Sequence, residues 1–192
     1  IPDIGVAIEY NGARWHSEEA KGSKYHLNKL NEVNVFGYRL IHIDEYEWKF
    51  KQNICKSRIL NMLGGSERIY ARKCTIEKIA FPIEFLNTNH IQGAGAGTSI
   101  NYALKHDGKI VAVMTFSRPR FNKNYDYELV RYCSILNHTV IGGASKILKA
   151  FKEEYPFSSI ISYSDKRWSD GNLYRQLGFT YLHTSEPNYN YF

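Results

Sequence analysis

IGVAIEYNGARWH, residues 4–16, is the stretch from which the fold of this chain is inferred. It opens with apolar Val6–Ile8, which is typical of a buried strand, and the carboxylate of Glu9 follows directly. Asn11-Gly12 predicts a turn, because both residues tolerate positive φ. An acid at the end of an apolar strand, followed by His16, is compatible with a metal-and-base site. The blander alternative is an edge strand with a solvated acid and a half-buried histidine, since lone acids and histidines are common.

A helix is predicted after this stretch, beginning near Tyr25 and ending at Gly37. Its apolar residues recur at helical spacing, and glycine is a frequent helix stop. His26 and Lys29 lie three positions apart, so they share one face of this helix beside the apolar stripe. The helix therefore carries two candidate functional side chains on the same side.

A second strand is predicted over residues 38–43, where apolar and polar residues alternate. His42 lies within this strand, and we interpret it as a structural histidine. Glu45 and Glu47 follow the strand and are placed to join a metal site, but a solvated strand end is the preferred interpretation. A second helix is predicted from about Glu47 to Leu63, which completes a β-α-β-α unit.

The second half of the chain differs from the first because its pattern predicts mainly short strands separated by turns. Residues 100–104 and 110–116 predict a hairpin with Asp107-Gly108 at its turn. The turn at residues 139–144, TVIGGA, leads into a predicted helix. The other predicted elements are a strand within 69–79, a flexible segment at 92–98, strands at 127–135, 158–163 and 179–183, and helices at 145–155 and 173–177.

Composition narrows the choice of partner and compartment. The net charge of +6 favours an anionic partner such as nucleic acid. Three widely spaced cysteines without a C-x-x-C pair predict reduced thiols in a cytoplasmic protein. We find neither a signal peptide nor an apolar run long enough for a membrane span. The chain opens within a strand-like pattern, so we expect the natural protein to begin earlier.

Two loops combine basic and aromatic residues, which suits phosphate contact and base stacking. RPRFNKN, residues 118–124, contains the first set of candidates, and the segment around Trp168 contains the second. A solvated loop explains both segments equally well. The candidate DNA-binding residues are Arg118, Arg120, Lys123, Lys166 and Arg167.

Three blocks in the first third of the chain carry a family resemblance. IPDIGVAIEYNGARWH, YHLNK and GYRLIHIDEYEW resemble phage homing endonucleases related to the very-short-patch-repair (Vsr) nucleases. These enzymes belong to the PD-(D/E)XK fold, in which carboxylates at strand ends hold a divalent metal. The metal lowers the pKa of a bound water and offsets charge at the scissile phosphate. The resemblance implies a nuclease domain over residues 1–72 that uses a divalent metal, expected to be Mg²⁺.

The same resemblance assigns roles to individual residues. Glu9 matches a metal-binding acid, and His16 matches a histidine that activates water or protonates the leaving group. Asn11 stands where many relatives carry lysine, so His26 and Lys29 are the candidates to replace it. The main acidic ligand of such proteins falls upstream of Ile1.

A second resemblance covers residues 99–192, with residues 73–98 as a connection. The hairpin, VIGGASKIL and LYRQLGF resemble the GNAT acyltransferase fold, including its DNA-modifying Mom-like branch. In that fold a glycine-rich turn before a helix binds the coenzyme A pyrophosphate. The cofactor-binding residues implied, if acetyl-CoA binds, are Gly142, Gly143, Ala144 and Tyr174. Thr139 departs from the usual Gln or Arg, which makes DNA contact or packing the preferred role of this half.

Taken together, these features predict an α/β (α+β) protein with a Vsr-like unit followed by a GNAT-like mixed sheet. The preferred function is a metal-dependent homing-type DNA endonuclease acting on double-stranded DNA. The expected location is the cytoplasm, of the host cell if a phage encodes the protein. The alternatives are an acyl-CoA-dependent, Mom-like modifier of nucleic acid and a non-catalytic DNA-binding protein. The pattern leaves the oligomeric state open.

Overall fold

The computed structural model describes residues 1–12, 25–95 and 98–185, except for the side chain of His26. The described residues contain both helices and strands in similar proportion, which confirms the predicted mixed α/β class. The chain forms two compact units. The first comprises residues up to Gln52 together with those from Asp165 onward, and the second comprises Asn53–Ser164.

The first unit is built on two parallel strands. β1 (Val6–Asn11) pairs with β2 (Arg39–Asp44), and helix α1 (Tyr25–Val35) lies between them in the chain. The strand, helix and strand predicted here are confirmed. Parallel pairing places the carboxyl ends of both strands at one edge, where ligands bind in many open α/β sheets.

Three predictions for the first unit are wrong. Asn11 is not in a turn but is the buried last residue of β1. The single helix predicted over 47–63 is two helices, α2 (Glu45–Phe50) and α3 (Gln52–Met62), because the backbone leaves the helical conformation at Lys51. Residues 179–183 form no strand, and the preceding short helix α6 spans Asn172–Gln176.

The second unit contains a five-stranded sheet in the order β4-β5-β6-β7-β9. Its neighbours are antiparallel except for β7 and β9, which are parallel and are connected through helix α5. β3 and β8 form a separate parallel pair. Ring stacking of Phe116 on Phe151, with centroids 3.8 Å apart, packs α5 on the sheet. The bounds are β3 Glu67–Tyr70, β4 Thr75–Lys78, α4 Ile83–Asn89, β5 Ile100–His106, β6 Lys109–Ser117, β7 Tyr127–Ser134, β8 His138–Ile141, α5 Gly143–Glu154 and β9 Ile160–Ser162.

Turn chemistry in the second unit follows the sequence prediction. Asp107 and Gly108 both have positive φ between β5 and β6, which confirms the hairpin. Gly142 is left-handed between β8 and α5, so the predicted turn does separate a strand from a helix. The strand predicted within 69–79 is instead β3 and β4, separated by a short 3-10 turn at Ala71–Lys73.

The predicted connection at 73–98 belongs to the body of the second unit. β4 pairs with β5 as an outer strand of the sheet, and Leu86 of α4 is fully buried against that sheet. The unit boundaries therefore differ from the predicted domains 1–72 and 99–192. Within the described ranges, no helix is long and apolar enough to cross a membrane.

Candidate active site

Four polar side chains lie at the carboxyl ends of β1 and β2. The register sets Glu9 opposite His42 and Asn11 opposite Asp44. Residues two apart in a strand point to the same face, so the two cross-strand pairs project together. The first unit thus gathers an acid, an amide, an imidazole and a second acid at one edge.

Glu9 is held between a lysine and a histidine. Lys29 Nζ from α1 donates to Glu9 Oε1 at 2.5 Å, while Glu9 Oε2 lies 3.3 Å from His42 Nδ1. The Glu9 side chain is only 13% exposed, whereas that of Lys29 is 38% exposed. The hydrogen bond to Glu9 raises the pKa of Lys29, although burial opposes it. Lys29 is therefore a fixed ammonium at neutral pH, next to a carboxylate.

Asn11 connects the two strand ends. Its Nδ2 donates to Asp44 Oδ1 at 3.1 Å and lies 3.4 Å from His42 Nδ1. Since an ionised carboxylate only accepts hydrogen bonds, the contact with Asp44 fixes which end of the amide is nitrogen. The amide oxygen, Asn11 Oδ1, therefore points away from Asp44.

Two oxygens at this edge are buried and accept no hydrogen bond from the described part of the chain, although His42 Nδ1 lies 3.3 Å from one of them, Glu9 Oε2. They are Glu9 Oε2 and Asn11 Oδ1. A buried acceptor without a donor costs about 1–3 kcal/mol, so such atoms commonly mark a place for a ligand or ion. This pair of oxygens is the chemical feature that distinguishes the edge from an ordinary strand end.

The two oxygens suit a hard divalent cation that keeps most of its water. Mg²⁺ is commonly held by one or two carboxylate or carbonyl oxygens and retains several waters. Residues 1–12, 25–95 and 98–185 contain no group of three or more His, Cys, Asp or Glu able to hold a metal. Glu9 and Asn11 offer two oxygens of the kind that Mg²⁺ accepts, which are too few for a closed structural metal site.

A cluster of charges adjoins this edge through Asp44. Arg167 Nη1 donates to Asp44 Oδ2, and Arg167 Nη2 contacts Glu47 Oε1 at 3.1 Å and Asp165 Oδ2 at 2.8 Å. Trp168 Nε1 donates to Glu47 Oε2 at 3.2 Å. Burial alone would lower the pKa of Arg167, but the three carboxylates raise it above its ordinary value. The arginine is thus the common cation of three acids.

Glu47 provides a pH test of this cluster. Burial raises its pKa and repulsion from Asp44 adds to the rise, while Arg167 opposes both. A carboxyl group whose pKa is higher in the folded state stabilises the fold at low pH, and this contribution is lost as pH rises through that pKa. We therefore expect the unfolding free energy of Glu47→Gln to rise relative to that of wild type between pH 4 and pH 7. Urea unfolding at both pH values measures this gain, and parallel pH profiles of the two proteins would contradict it.

The structure brings together some of the residues predicted for the site. Glu9 and Lys29 are in contact, while the histidine at position 16 lies outside the described residues. His26 lies on α1. Sequence reasoning missed Asn11 and Asp44 as members of the site. The sequence did contain a clue to both residues, because each is a polar residue that comes shortly after one of the two predicted strands.

The structure corrects the interpretation of Glu47 and locates two of the predicted DNA-binding residues, Arg167 and Lys166. Glu47 is not at a solvated strand end but is buried beneath Trp168 and Arg167. Arg167, predicted to contact DNA, has its guanidinium occupied by three carboxylates. Lys166 is exposed, and its ammonium donates to Thr184 Oγ1 at 3.2 Å.

The basic loop of the second unit is held by contacts within the chain. Arg120 makes an ion pair with buried Glu128, Arg118 donates to the carbonyl of Asp126, and Lys123 donates to the carbonyl of Pro119. These contacts order the loop. Arg118 and Lys123 nevertheless remain exposed.

The glycine turn before α5 is partly covered. A Cβ on Gly143 would lie 2.8 Å from the Tyr132 hydroxyl and 2.9 Å from Val140 Cγ1. The Ala144 N–H is hydrogen-bonded to Tyr132, and the nearby Lys146 ammonium donates to two backbone carbonyls. The Ala144 N–H and the Lys146 ammonium are therefore already hydrogen-bonded within the chain. Tyr174 lies on α6 in the first unit, where its ring meets Phe179.

Comparison of this chain with protein-family models, curated proteins and solved structures found no match.

Proposed function

We propose that this protein is a metal-dependent DNA endonuclease of homing type that hydrolyses phosphodiester bonds. The observation that supports it is the Glu9–Lys29 ion pair together with two buried oxygens, Glu9 Oε2 and Asn11 Oδ1, that accept no hydrogen bond from the described residues. Metal-assisted phosphodiester hydrolysis needs a carboxylate, a cation beside the phosphate, and oxygens that are free to bind a metal. The resemblance of residues 1–63 to Vsr-like homing endonucleases points to the same chemistry.

Each residue of the edge has a defined part in this proposal. Glu9 Oε2 and Asn11 Oδ1 would hold the metal, which when bound supplies an acidified water and offsets phosphate charge. Lys29, already charged and adjacent, donates to a non-bridging phosphate oxygen and stabilises the charge that develops on it. His42 lies against Glu9 Oε2 and limits the rotation of that carboxylate. His16 is the candidate proton donor on the resemblance alone.

The charge of the whole chain supports DNA as substrate. A net charge of +6 attracts a polyanion and raises its rate of encounter. Binding that depends on phosphate contacts weakens steeply with salt, because counterions released from DNA must be recovered. Salt-sensitive binding to duplex DNA of any sequence is therefore expected alongside sequence-specific cleavage.

The proposal is tested by incubating the purified protein with supercoiled plasmid carrying a library of inserts. We expect nicked or linear DNA with Mg²⁺ and no product in EDTA. Protein that binds the plasmid but leaves it intact in Mg²⁺ and in Mn²⁺ would favour the non-catalytic DNA-binding alternative. A Lys29→Met variant, tested in parallel, should bind DNA at low salt but yield far less product.

One observation favours the acyl-CoA alternative. β9 pairs with only Tyr127–Leu129 of β7, and β7 continues to Ser134 without β9. The GNAT resemblance implies a cofactor between two such diverging strands. Tyr132 covers the turn before α5, and this argues against the binding of a cofactor there. Calorimetric titration of wild-type protein with acetyl-CoA decides, and tight stoichiometric binding would favour a modifying enzyme.

A further inference from the structure

Two exposed aromatic rings meet on the second unit. Phe121 lies in the loop between β6 and β7, and Tyr163 directly follows β9. Their centroids are 5.7 Å apart in an edge-to-face arrangement. Phe121 is 75% exposed and Tyr163 is 47% exposed, so neither ring belongs to the core.

The loop that presents Phe121 is anchored from below. Glu128 is fully buried and accepts hydrogen bonds from the Arg120 backbone N–H at 2.8 Å, from Nε at 3.0 Å and from Nη2 at 2.5 Å. A buried carboxylate that fixes both the backbone and the side chain of the preceding residue restricts Phe121. The exposure of this ring is therefore a consequence of an ordered loop. An ordered binding residue loses less conformational entropy when a ligand arrives.

The surroundings of the rings are basic. Arg120 pairs with the buried carboxylate of Glu128, while Arg118 and Lys123 donate to the backbone carbonyls of Asp126 and Pro119. Arg120 Cζ lies 5.6 Å from the Phe121 centroid, which adds a cation beside the ring. An apolar ring surface bordered by cations matches a ligand with a flat π-face and a negative backbone, which describes a nucleic acid strand.

We propose that Phe121 and Tyr163 form a stacking platform for an unpaired base of a nucleic acid, with Arg118 and Lys123 at the flanking phosphates. Bases inside a duplex already have both faces covered by their neighbours. The platform therefore selects a single strand or a locally opened site over an intact duplex. It uses none of the residues at the Glu9 edge, so it does not depend on cleavage.

The test is binding of a fluorescent single-stranded oligonucleotide in EDTA, which removes any contribution from cleavage. We expect Phe121→Ala/Tyr163→Ala to bind at least about tenfold more weakly, as loss of base stacking predicts. The salt dependence should stay unchanged because no phosphate contact is lost, whereas Arg118→Ala should lower the salt slope by about one. Phe50→Ala, which removes another exposed aromatic ring, is the matched control and should bind as wild type.

Three further measurements separate stacking from other roles. An oligonucleotide of abasic residues should bind wild type and the double variant equally, since it offers nothing to stack. Phe121→Leu/Tyr163→Leu keeps apolar bulk, so it should lose affinity to a similar degree while its circular dichroism matches wild type. Unchanged single-strand affinity, or an equal loss for duplex DNA, would overturn the platform. So would a dimer in wild type, by sedimentation, that the double variant loses, because the rings would then cover a second copy.

Discussion

Replacing Glu9 by glutamine should lower Mg²⁺-dependent DNA nicking by at least about 100-fold, the order expected when a metal-binding carboxylate is removed. The amide keeps the size of the side chain but removes the charge that holds a cation and pairs with Lys29. Lys29 is partly exposed, so water can solvate its ammonium once the partner is gone. We therefore expect the fold to survive and the activity to be lost.

The matched control is Glu45→Gln. Glu45 also follows the parallel strands in the first unit, but its residue is exposed. This variant should nick plasmid at the wild-type rate. Equal activity of Glu9→Gln and wild type at saturating Mg²⁺ would falsify the assignment of Glu9 to the reaction.

A double-mutant cycle with Lys29→Met tests whether the pair acts as one unit. Residues that act together in a reaction have non-additive effects, so the double variant should be about as slow as the slower single variant. Additive losses would mean that Lys29 contributes independently, for example by binding DNA. Salt titration of binding separates these outcomes, because a lost phosphate contact lowers the salt slope by about one.

Local patterns predicted much of the first unit. The apolar run Val6–Ile8, the helical stripe ending at Gly37 and the alternation at 38–43 are each periodic over a short window. Secondary structure of this kind depends on neighbours in the chain. That Glu9 and Lys29 both belong to the site could also be predicted locally, since a helix that connects two parallel strands passes close to their ends.

The rest of the candidate site depends on contacts distant in sequence. Asn-Gly is a strong turn signal, yet Asn11 is extended because its amide joins Asp44 on the neighbouring strand. A basic residue beside tryptophan in a loop resembles a nucleic-acid contact, yet Arg167 pairs with acids more than a hundred positions earlier. Neither the register of two strands nor a partner that far away produces a periodic pattern in the sequence.

The second unit shows the same division. Asp107-Gly108 fixes a hairpin through backbone conformations that glycine and aspartate favour locally. β4 was not distinguished from β3 in the sequence, because its four residues are mostly exposed and form a strand only through pairing with β5. Glu128 was predicted only as part of a strand, but its burial and its hydrogen bonds to Arg120 explain why the preceding loop with Phe121 is held in place. The site on this unit is thus organised by one buried acid.

Arg167→Met should destabilise the protein by up to about 3 kcal/mol at neutral pH, the lower end of the range for removing one partner of a buried ion pair, because the arginine side chain is 30% exposed. The guanidinium now contacts Asp44, Glu47 and Asp165, and methionine would leave three carboxylates close together without a cation. The methylene stem is largely preserved, so lost packing contributes little to this cost. Urea unfolding monitored by circular dichroism and tryptophan fluorescence measures the change.

The matched control is Arg175→Met in the same unit. Arg175 pairs with Asp170 at 3.6 Å, but both side chains are at least half exposed. Surface pairs of this kind contribute about 0–1 kcal/mol, so this variant should remain close to wild type. Similar losses in the two variants would show that the carboxylate cluster does not stabilise the fold.

The loss caused by Arg167→Met should depend on pH. Without the arginine, burial and Asp44 raise the pKa of Glu47 further, because the charge that opposed them is gone. A carboxyl with a raised folded-state pKa destabilises the fold as pH rises through that pKa, so the deficit should be largest at neutral pH and shrink toward pH 4. Adding Glu47→Gln should also restore part of the stability at neutral pH, since it removes one uncompensated charge. A deficit that is equal at pH 4 and pH 7, and unchanged by Glu47→Gln, would assign the effect of Arg167 to packing instead of charge.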